Sequence, residues 1–231
     1  MSTPDSDIMS KFMHKLEQSF GSLGGVGCAD LMDHTIISAD PLISELVFSM
    51  LVWESSIEHA QRAVECIKAN LIDLHELRVC TPEELTAILP SRYPRSLERS
   101  QRLIGILNSV FASENELSLN RLREMNKRDV IHYFNVIDGL PPFVSSRVIL
   151  LGLGWHAFPI DDWLAKQLAR EQITDTTLDI YQQTQRMEKI VRANDALRYY
   201  TLLEHWASDQ RVSKIANSKA ALSKSNAKGS S

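Results

Sequence analysis

The residues best placed to do chemistry lie between Asp138 and Asp161 and in a run of arginines upstream of them. A tight turn over Gly139 to Pro142 leads into an apolar helix that stops at Gly152 and Gly154. The chain then delivers Pro159, Ile160 and Asp161 to the start of a new helix beginning at Asp162 and Trp163. An aspartate in that position is an N-cap: its side-chain oxygen accepts a backbone N–H and stabilises the helix by about 1 kcal/mol. Arg92, Arg95, Arg99 and Arg102 are spaced 3, 4 and 3 apart, so the three within the helix share a face. Such a stripe can follow a phosphate backbone. It can equally be a solvated helix face partly paired with Glu98. His132 and His156 have no metal-like spacing with other ligands, and no zincin, P-loop or Ser/His/Asp signature occurs.

The segments that must position these residues read as helix almost throughout. Ile8, Met9, Phe12, Met13, Leu16 and Phe20 recur every three or four residues. The glycines that follow (Gly21, Gly24, Gly25, Gly27) come after a helical pattern, which fits a helix stop and linker better than a phosphate-cradling loop. Asp40-Pro41 reads as an N-cap with proline at the first helical position, opening an apolar helix from Leu42 to Trp53. A second helix spans about 57–69. Thr81 to Glu84 is a capping box ahead of Leu85 and Ile88. Pro94 starts a long helix through Phe111, and two short helices, 118–125 and 127–137, precede the hairpin. Later helices are expected at Trp163 to Leu168, Leu178 to Ala193 and Leu197 to Trp206. Strand-like alternation is scarce, which predicts an all-α protein.

Bulk properties set the outer limits. A chain of 231 residues, 44% hydrophobic and 23% charged, is long enough to bury a proper core in one or two domains. No apolar run approaches the roughly 20 residues of a membrane span, and the acidic N-terminus lacks the features of a signal peptide. Cys28, Cys66 and Cys80 are odd in number and widely separated, offering neither a disulfide framework nor a metal knuckle. A reducing, intracellular setting is expected, cytoplasmic or nucleoid-associated. The net charge is −4; five basic and no acidic residues after position 209 leave −9 on residues 1–209. Residues 210–231, rich in Ser, Ala, Asn and Lys, read as a disordered basic tail, either a weak DNA-affinity element or a solubilising terminus.

The segment from Asp138 to Asp161 resembles the helix-hairpin-helix and following Pro-Val-Asp of the endonuclease III type DNA glycosylase superfamily. The likeness extends to other stretches between about Pro41 and Trp206. Glu45 to Ser56 resembles the family helix that ends in a polar DNA-facing loop. Tyr93 to Ile104 resembles its Tyr-x-x-Lys-Ala helix, and Leu119 to Leu140 the approach to the hairpin. The resemblance implies a two-lobed fold with a DNA cleft between the lobes. It places a six-helix barrel at 43–157 and joins 1–42 to 158–209 in a second helical cluster. It also implies double-stranded DNA as partner, a monomer, and no association with membranes.

The same resemblance assigns roles. Asp161 takes the place of the family's catalytic aspartate, whose carboxylate stabilises an electron-poor sugar as the glycosidic bond breaks. The lysine that forms a Schiff base in bifunctional members falls here at Ser145 or Ser146, followed by Arg147, and no lysine lies between Lys127 and Lys166. An enzyme of this kind would hydrolyse the bond with water and lack AP-lyase activity. The family's Gly-x-Gly, which lends backbone N–H groups to a phosphate, is replaced by Pro142-Phe143-Val144, though Gly139 remains to form part of the bend. Ser55 is the nearest match to the glutamine that fills the space left by a flipped base. The expected DNA-binding set is therefore Gly139, Ser145, Ser146, Arg147, Ser55, Arg95, Arg99 and Arg102. Trp53, Trp155 and Trp163 could offer stacking faces, with core packing the simpler role.

Three function classes follow: a monofunctional base-excision-repair glycosylase, a degenerate relative that binds DNA or protein without catalysis, and a helical interaction module. No metal or cofactor is expected, because three scattered cysteines cannot supply the four thiolates of an iron–sulfur cluster. Protein purified anaerobically is expected to be colourless and to contain no stoichiometric iron or sulfide by elemental analysis.

Overall fold

The computed structural model describes residues 4–20, 38–175 and 177–208. The glycine cluster at 21–27, Cys28 and the tail 210–231 lie outside the described residues. No strand occurs among those described.

Helix α1 (Pro4–Phe20) buries Met9, Phe12, Met13 and Leu16 of the predicted face, while Ile8 is exposed and Phe20 only partly buried. Helix α2 (Pro41–Val52) is buried on every side, including its polar residues Ser44, Glu45 and Ser49. A helix this apolar all round belongs at the centre of a domain. Asp40 caps it through Oδ1 to the Leu42 N–H at 2.8 Å, and its Oδ2 accepts from Ser118 Oγ at 2.8 Å. One carboxylate thus fixes the start of the central helix against a distant loop. Helices α3 (Ile57–Asn70) and, further along, α6 (Ser96–Glu114) pack against α2, while α4 (Leu74–Val79) and α5 (Pro82–Ile88) pack against α6. The expected capping box of α5 is present, with Thr81 and Glu84 bonded reciprocally. Helix α4 has no counterpart among the helices expected from sequence. Its six residues are too few to show a helical period, although Asp73 caps it.

A 3-10 turn (Asn120–Glu124) and α7 (Lys127–Asn135) lead to the hairpin. Gly139 adopts φ +74 there, a conformation natural to glycine. Helix α8 (Pro142–Arg147) then widens into a π-helical turn, Val148–Gly152. Gly152 lies so close to α2 that an added Cβ would sit 2.6 Å from Leu42 Cδ2. The absence of a side chain is what admits the contact. Gly154, at φ +69, completes the stop. Helices α9 (Asp162–Arg170), α10 (Ile180–Ile190) and α11 (193–208) follow. The predicted 178–193 helix is shorter than expected, because Val191 takes an extended conformation that separates α10 from α11. α1 returns to these C-terminal helices, with Phe12 edge-on to Trp206 at 5.1 Å and Glu17 paired to Arg198.

Arg147 joins α8, α2 and α11. It is 1% exposed, and its Nε donates to Glu45 Oε1 at 2.9 Å. Its Nη1 donates to Tyr200 Oη at 2.9 Å and to Glu204. Tyr200 in turn donates to Glu204 Oε1 at 2.7 Å. Burial pushes the Glu45 carboxyl up, against the pull of Arg147 and of Ser49, which donates to it at 2.7 Å. Burial works against the guanidinium as well, but Glu204, Tyr200 and Glu45 hold its pKa well above the ordinary value.

Removing the shared cation strands two buried carboxylates. Arg147→Met is expected to lose about 3–5 kcal/mol of stability at pH 7, whereas Glu45→Gln, which keeps an acceptor, loses far less. Without the guanidinium, the fully buried Glu45 carboxyl, already pushed up by burial, binds a proton more readily folded than unfolded. The Arg147→Met deficit should therefore shrink as pH falls from 7 towards 5. Denaturant titrations of both variants at the two pH values check this. Equal losses, or a deficit indifferent to pH, would refute the assignment.

Candidate functional site

Helix α2 ends at Val52, and the chain turns through Trp53, Glu54, Ser55 and Ser56 before α3 begins. Glu54 takes φ +53, a left-handed conformation that costs a non-glycine residue about 1–3 kcal/mol unless its surroundings hold it. They do. The Glu54 N–H donates to Asp161 Oδ2 at 3.3 Å, and Glu54 Oε1 accepts from the Asp162 N–H at 3.0 Å. Asp161 Oδ1 meanwhile accepts from the Leu164 N–H at 2.8 Å, the N-cap expected from sequence. Asp161 is 7% exposed, with one carboxylate oxygen held by a backbone donor of α9 and the other by one from the turn after α2, at a helix N-terminus that itself favours negative charge.

Asp161 opens on a small pocket. Phe143, Trp163 and Tyr200 supply aromatic walls; Ser55, Ser56, Glu204 and Ser208 are its other polar neighbours. Trp163 is held by its indole N–H on the Ala207 carbonyl at 3.1 Å. Glu204 is 9% exposed at its side chain. Its Oε1 is engaged by Tyr200 and Arg147, while its Oε2 is buried without a hydrogen-bond partner.

The arginine stripe divides. Arg99 is fully buried, and its guanidinium donates to the Met50 and Trp53 carbonyls at the end of α2. Burial lowers its pKa to about 10. Tyr93 stands beside it, its hydroxyl donating to the Leu51 carbonyl at 2.6 Å and its pKa raised to about 12 by burial. Arg95 and Arg102 remain partly exposed and bond Glu98, and Arg102 also donates to the Gly139 carbonyl at 2.9 Å. Arg95, Arg99 and Arg102 lie 4.6, 5.7 and 5.1 Å from the Trp53 ring centre. Both sequence readings of the stripe therefore need correction at Arg99. It neither faces solvent nor is free to meet a phosphate, because it terminates α2 from inside.

Arg147 is corrected in the same way, since its guanidinium is consumed by Glu45, Tyr200 and Glu204. Of the other expected residues, Ser55 and Ser146 are buried at 6% and 8%. Ser145 is half-buried and donates to the Pro142 carbonyl, and Gly139 lies at the hairpin turn under Arg102. The structure brings Ser55 and Asp161 to one pocket but leaves the hairpin serines and Gly139 outside its lining. Trp53 is buried, and Trp155 packs partly buried against the core. His132 is exposed, and the His156 ring bonds the Val191 carbonyl. Among the described residues, no group of three or more His, Cys, Asp or Glu is placed to hold a metal ion, and no helix is long and apolar enough to cross a membrane.

Sequence reasoning missed Glu54, Phe143, Tyr200 and Glu204. Glu54 was adjacent to the residue chosen, and the polar loop was the signal. For Glu204 the signal was an acid four residues after Tyr200, flanking the buried Ala196, Tyr200, Leu203 and Ala207 stripe of α11.

No protein-family model matches the sequence, and a search of curated proteins finds no match either. Solved structures do match. An endonuclease III trapped as a covalent intermediate with DNA superimposes with a TM-score of 0.64 at 11% identity, over 88% of this chain and 85% of that one. The H. pylori 3-methyladenine DNA glycosylase MagIII bound to 1,N6-ethenoadenine gives 0.63 at 12% identity, over 87% and 98%. A thermostable thymine-DNA glycosylase gives 0.57 at 12% identity, over 87% and 86%. With its central buried helix, its hairpin and its capped Asp161, the chain has the all-helical fold of the endonuclease III type DNA glycosylases.

Proposed function

We propose that the protein is a monofunctional DNA glycosylase that hydrolyses the N-glycosidic bond of a damaged base, with Asp161 as its catalytic carboxylate. The observation that carries this reading is the placement of Asp161. It is a largely buried carboxylate, gripped by two backbone donors at a helix N-terminus, and it opens on a pocket with aromatic walls. Double-stranded DNA would lie between the lobe formed by 43–157 and the lobe formed by 1–42 with 158–209.

A base inside a duplex is unreachable, so the nucleotide must be extruded and its base seated in the pocket. As the glycosidic bond lengthens, the sugar takes on oxocarbenium character, and a fixed carboxylate beside it stabilises that charge without reorganising. The donors on Asp161 supply that fixity. Water completes the hydrolysis. Among the described residues, no amine lines the pocket to support a Schiff-base route. The residues after the hairpin are serines, Lys127 is bonded to the His156 carbonyl, and Lys166 is exposed on α9 away from the pocket lining.

Asp161→Asn should abolish base release from its lesion duplex while leaving DNA affinity nearly intact. Because Oδ2 accepts the Glu54 N–H, the amide also sets a donor against a donor, so about 1 kcal/mol of stability should be lost. Asp162→Asn, at an exposed side chain, should retain base release. Borohydride should trap no covalent adduct with abasic DNA. Equal loss in the two variants, or no release from wild type on a broad lesion panel, would sink the reading and favour a scaffold that binds DNA without cutting it.

Arg95 and Arg102 are the members of the stripe with exposed surface. Replacing both by Gln should weaken duplex binding and flatten the dependence of log K on log salt, by about one unit of slope for each phosphate no longer neutralised. Fluorescence anisotropy between 50 and 200 mM salt, roughly the range over which counterion release dominates, reads the slope. An unchanged slope would assign both to holding Trp53 alone.

A further inference from the structure

We propose that Glu204 is the base-reading residue of the pocket, accepting an N–H from the extruded base and selecting bases that carry an exocyclic amine. The proposal rests on the glycosylase reading for its ligand, but on separate atoms for its argument.

Glu204 sits on α11 and lines the pocket that Asp161 opens. Its two oxygens are unequal. Oε1 accepts from Tyr200 Oη and from Arg147, so it is saturated by the scaffold. Oε2 is buried and has no hydrogen-bond partner. A buried acceptor left in that condition costs free energy that a donor from a ligand would recover. The Oε2 of Glu45 is also without a partner, but Glu45 is fully buried within α2 and does not line the pocket. Glu204 is the carboxylate of the network that lines the pocket.

The surrounding chemistry favours the same class of ligand. One guanidinium faces two carboxylates, so the network carries surplus acceptor capacity and no spare donor on the pocket side. Phe143, Trp163 and Tyr200 offer rings to a planar heterocycle, and offset stacking needs no particular base. Discrimination must then come from the polar lining, in which Glu204 Oε2 is a carboxylate oxygen without a hydrogen-bond partner. A base edge with an amino group satisfies Oε2. An edge that carries only acceptors there places lone pairs against a carboxylate and leaves it unpaired. Sites built around one buried hydrogen bond reject ligands that lack the partner far more strongly than they reject differences of size.

The test uses 9-methyladenine and 9-methylpurine, which differ only in the amino group and carry no other N–H. Binding to the full-length protein is measured by saturation-transfer NMR titration. Wild type is expected to bind 9-methyladenine at least about tenfold more tightly, the weight of one hydrogen bond to a charged group. In Glu204→Gln, the amide oxygen must stay with Arg147 and Tyr200, so its NH2 turns to the pocket and the preference should vanish or invert. A role confined to structure would weaken both ligands alike. Should Glu204→Gln fail to fold by circular dichroism, Glu204→Asp, which withdraws the oxygen by one methylene, is read in its place. Equal binding of the two compounds, binding of neither, or a ratio unchanged by the variant overturns the proposal. Base release from lesion duplexes is scored separately. Release without amine discrimination removes Glu204 from the site and keeps Asp161. Amine discrimination without release keeps the reading residue and removes the glycosylase.

Discussion

A guanidinium buried among carboxylates is stable only when all its partners arrive together, and the interior of this protein is arranged around that requirement. Arg147 comes from α8, Glu45 from the central α2, and Tyr200 and Glu204 from α11, which lies more than fifty residues further along the chain. Each charged group would be costly alone, so the network penalises any packing in which one of the three helices is misplaced. Its register therefore fixes how the C-terminal helices lie against the hairpin. That relationship forms the pocket, because Phe143 of α8, Tyr200 and Glu204 of α11 and Asp161 at the start of α9 share its walls.

The opposite rim depends on a second buried cation. Helix α2 ends without glycine, and its last carbonyls would lack partners in a dry interior. Arg99 and Tyr93 from the adjacent segment meet them at Met50, Leu51 and Trp53. With those carbonyls fixed, the next residue, Glu54, is held in a left-handed conformation that aims its N–H at Asp161. The chain of causes runs from a buried arginine, through a helix terminus and a strained residue, to the orientation of the carboxylate. Arg95 and Arg102 close over the indole of Trp53 and hold the turn from outside.

The sequence was legible where local rules act. The capping signals at Asp40, Thr81 and Asp161 each mark a helix start in the structure, and the period of hydrophobic residues located the long helices. It was less legible where identity depends on partners from afar. An arginine stripe at helical spacing looks alike whether its members meet water, phosphate or the carbonyls of another helix, and only the burial of Arg99 distinguishes them. Arg147 beside a hairpin carried the same ambiguity. Tyr200 and Glu204 gave little sign of belonging to a site, since the helix that bears them is separated from Asp161 by about forty residues whose path no local pattern reveals.

The turn of helix after the hairpin is where scaffold and chemistry compete for the same positions. Ser146 is 8% exposed and Arg147 is 1% exposed, so both face inward. A lysine at 147 could not replace the planar fork that reaches Glu45 on one edge and Tyr200 with Glu204 on the other, because an ammonium is a single point charge. A lysine at 146 would place a second cation one residue from the first in a nearly dry interior, and repulsion together with desolvation would act against it. The serine is thus compatible with a network that a lysine would disturb. Having committed this turn to the buried arginine, the protein keeps for its pocket a set of acceptors, Asp161 and Glu204, and no amine. That composition follows from the physics of the core as much as from the demands of a site.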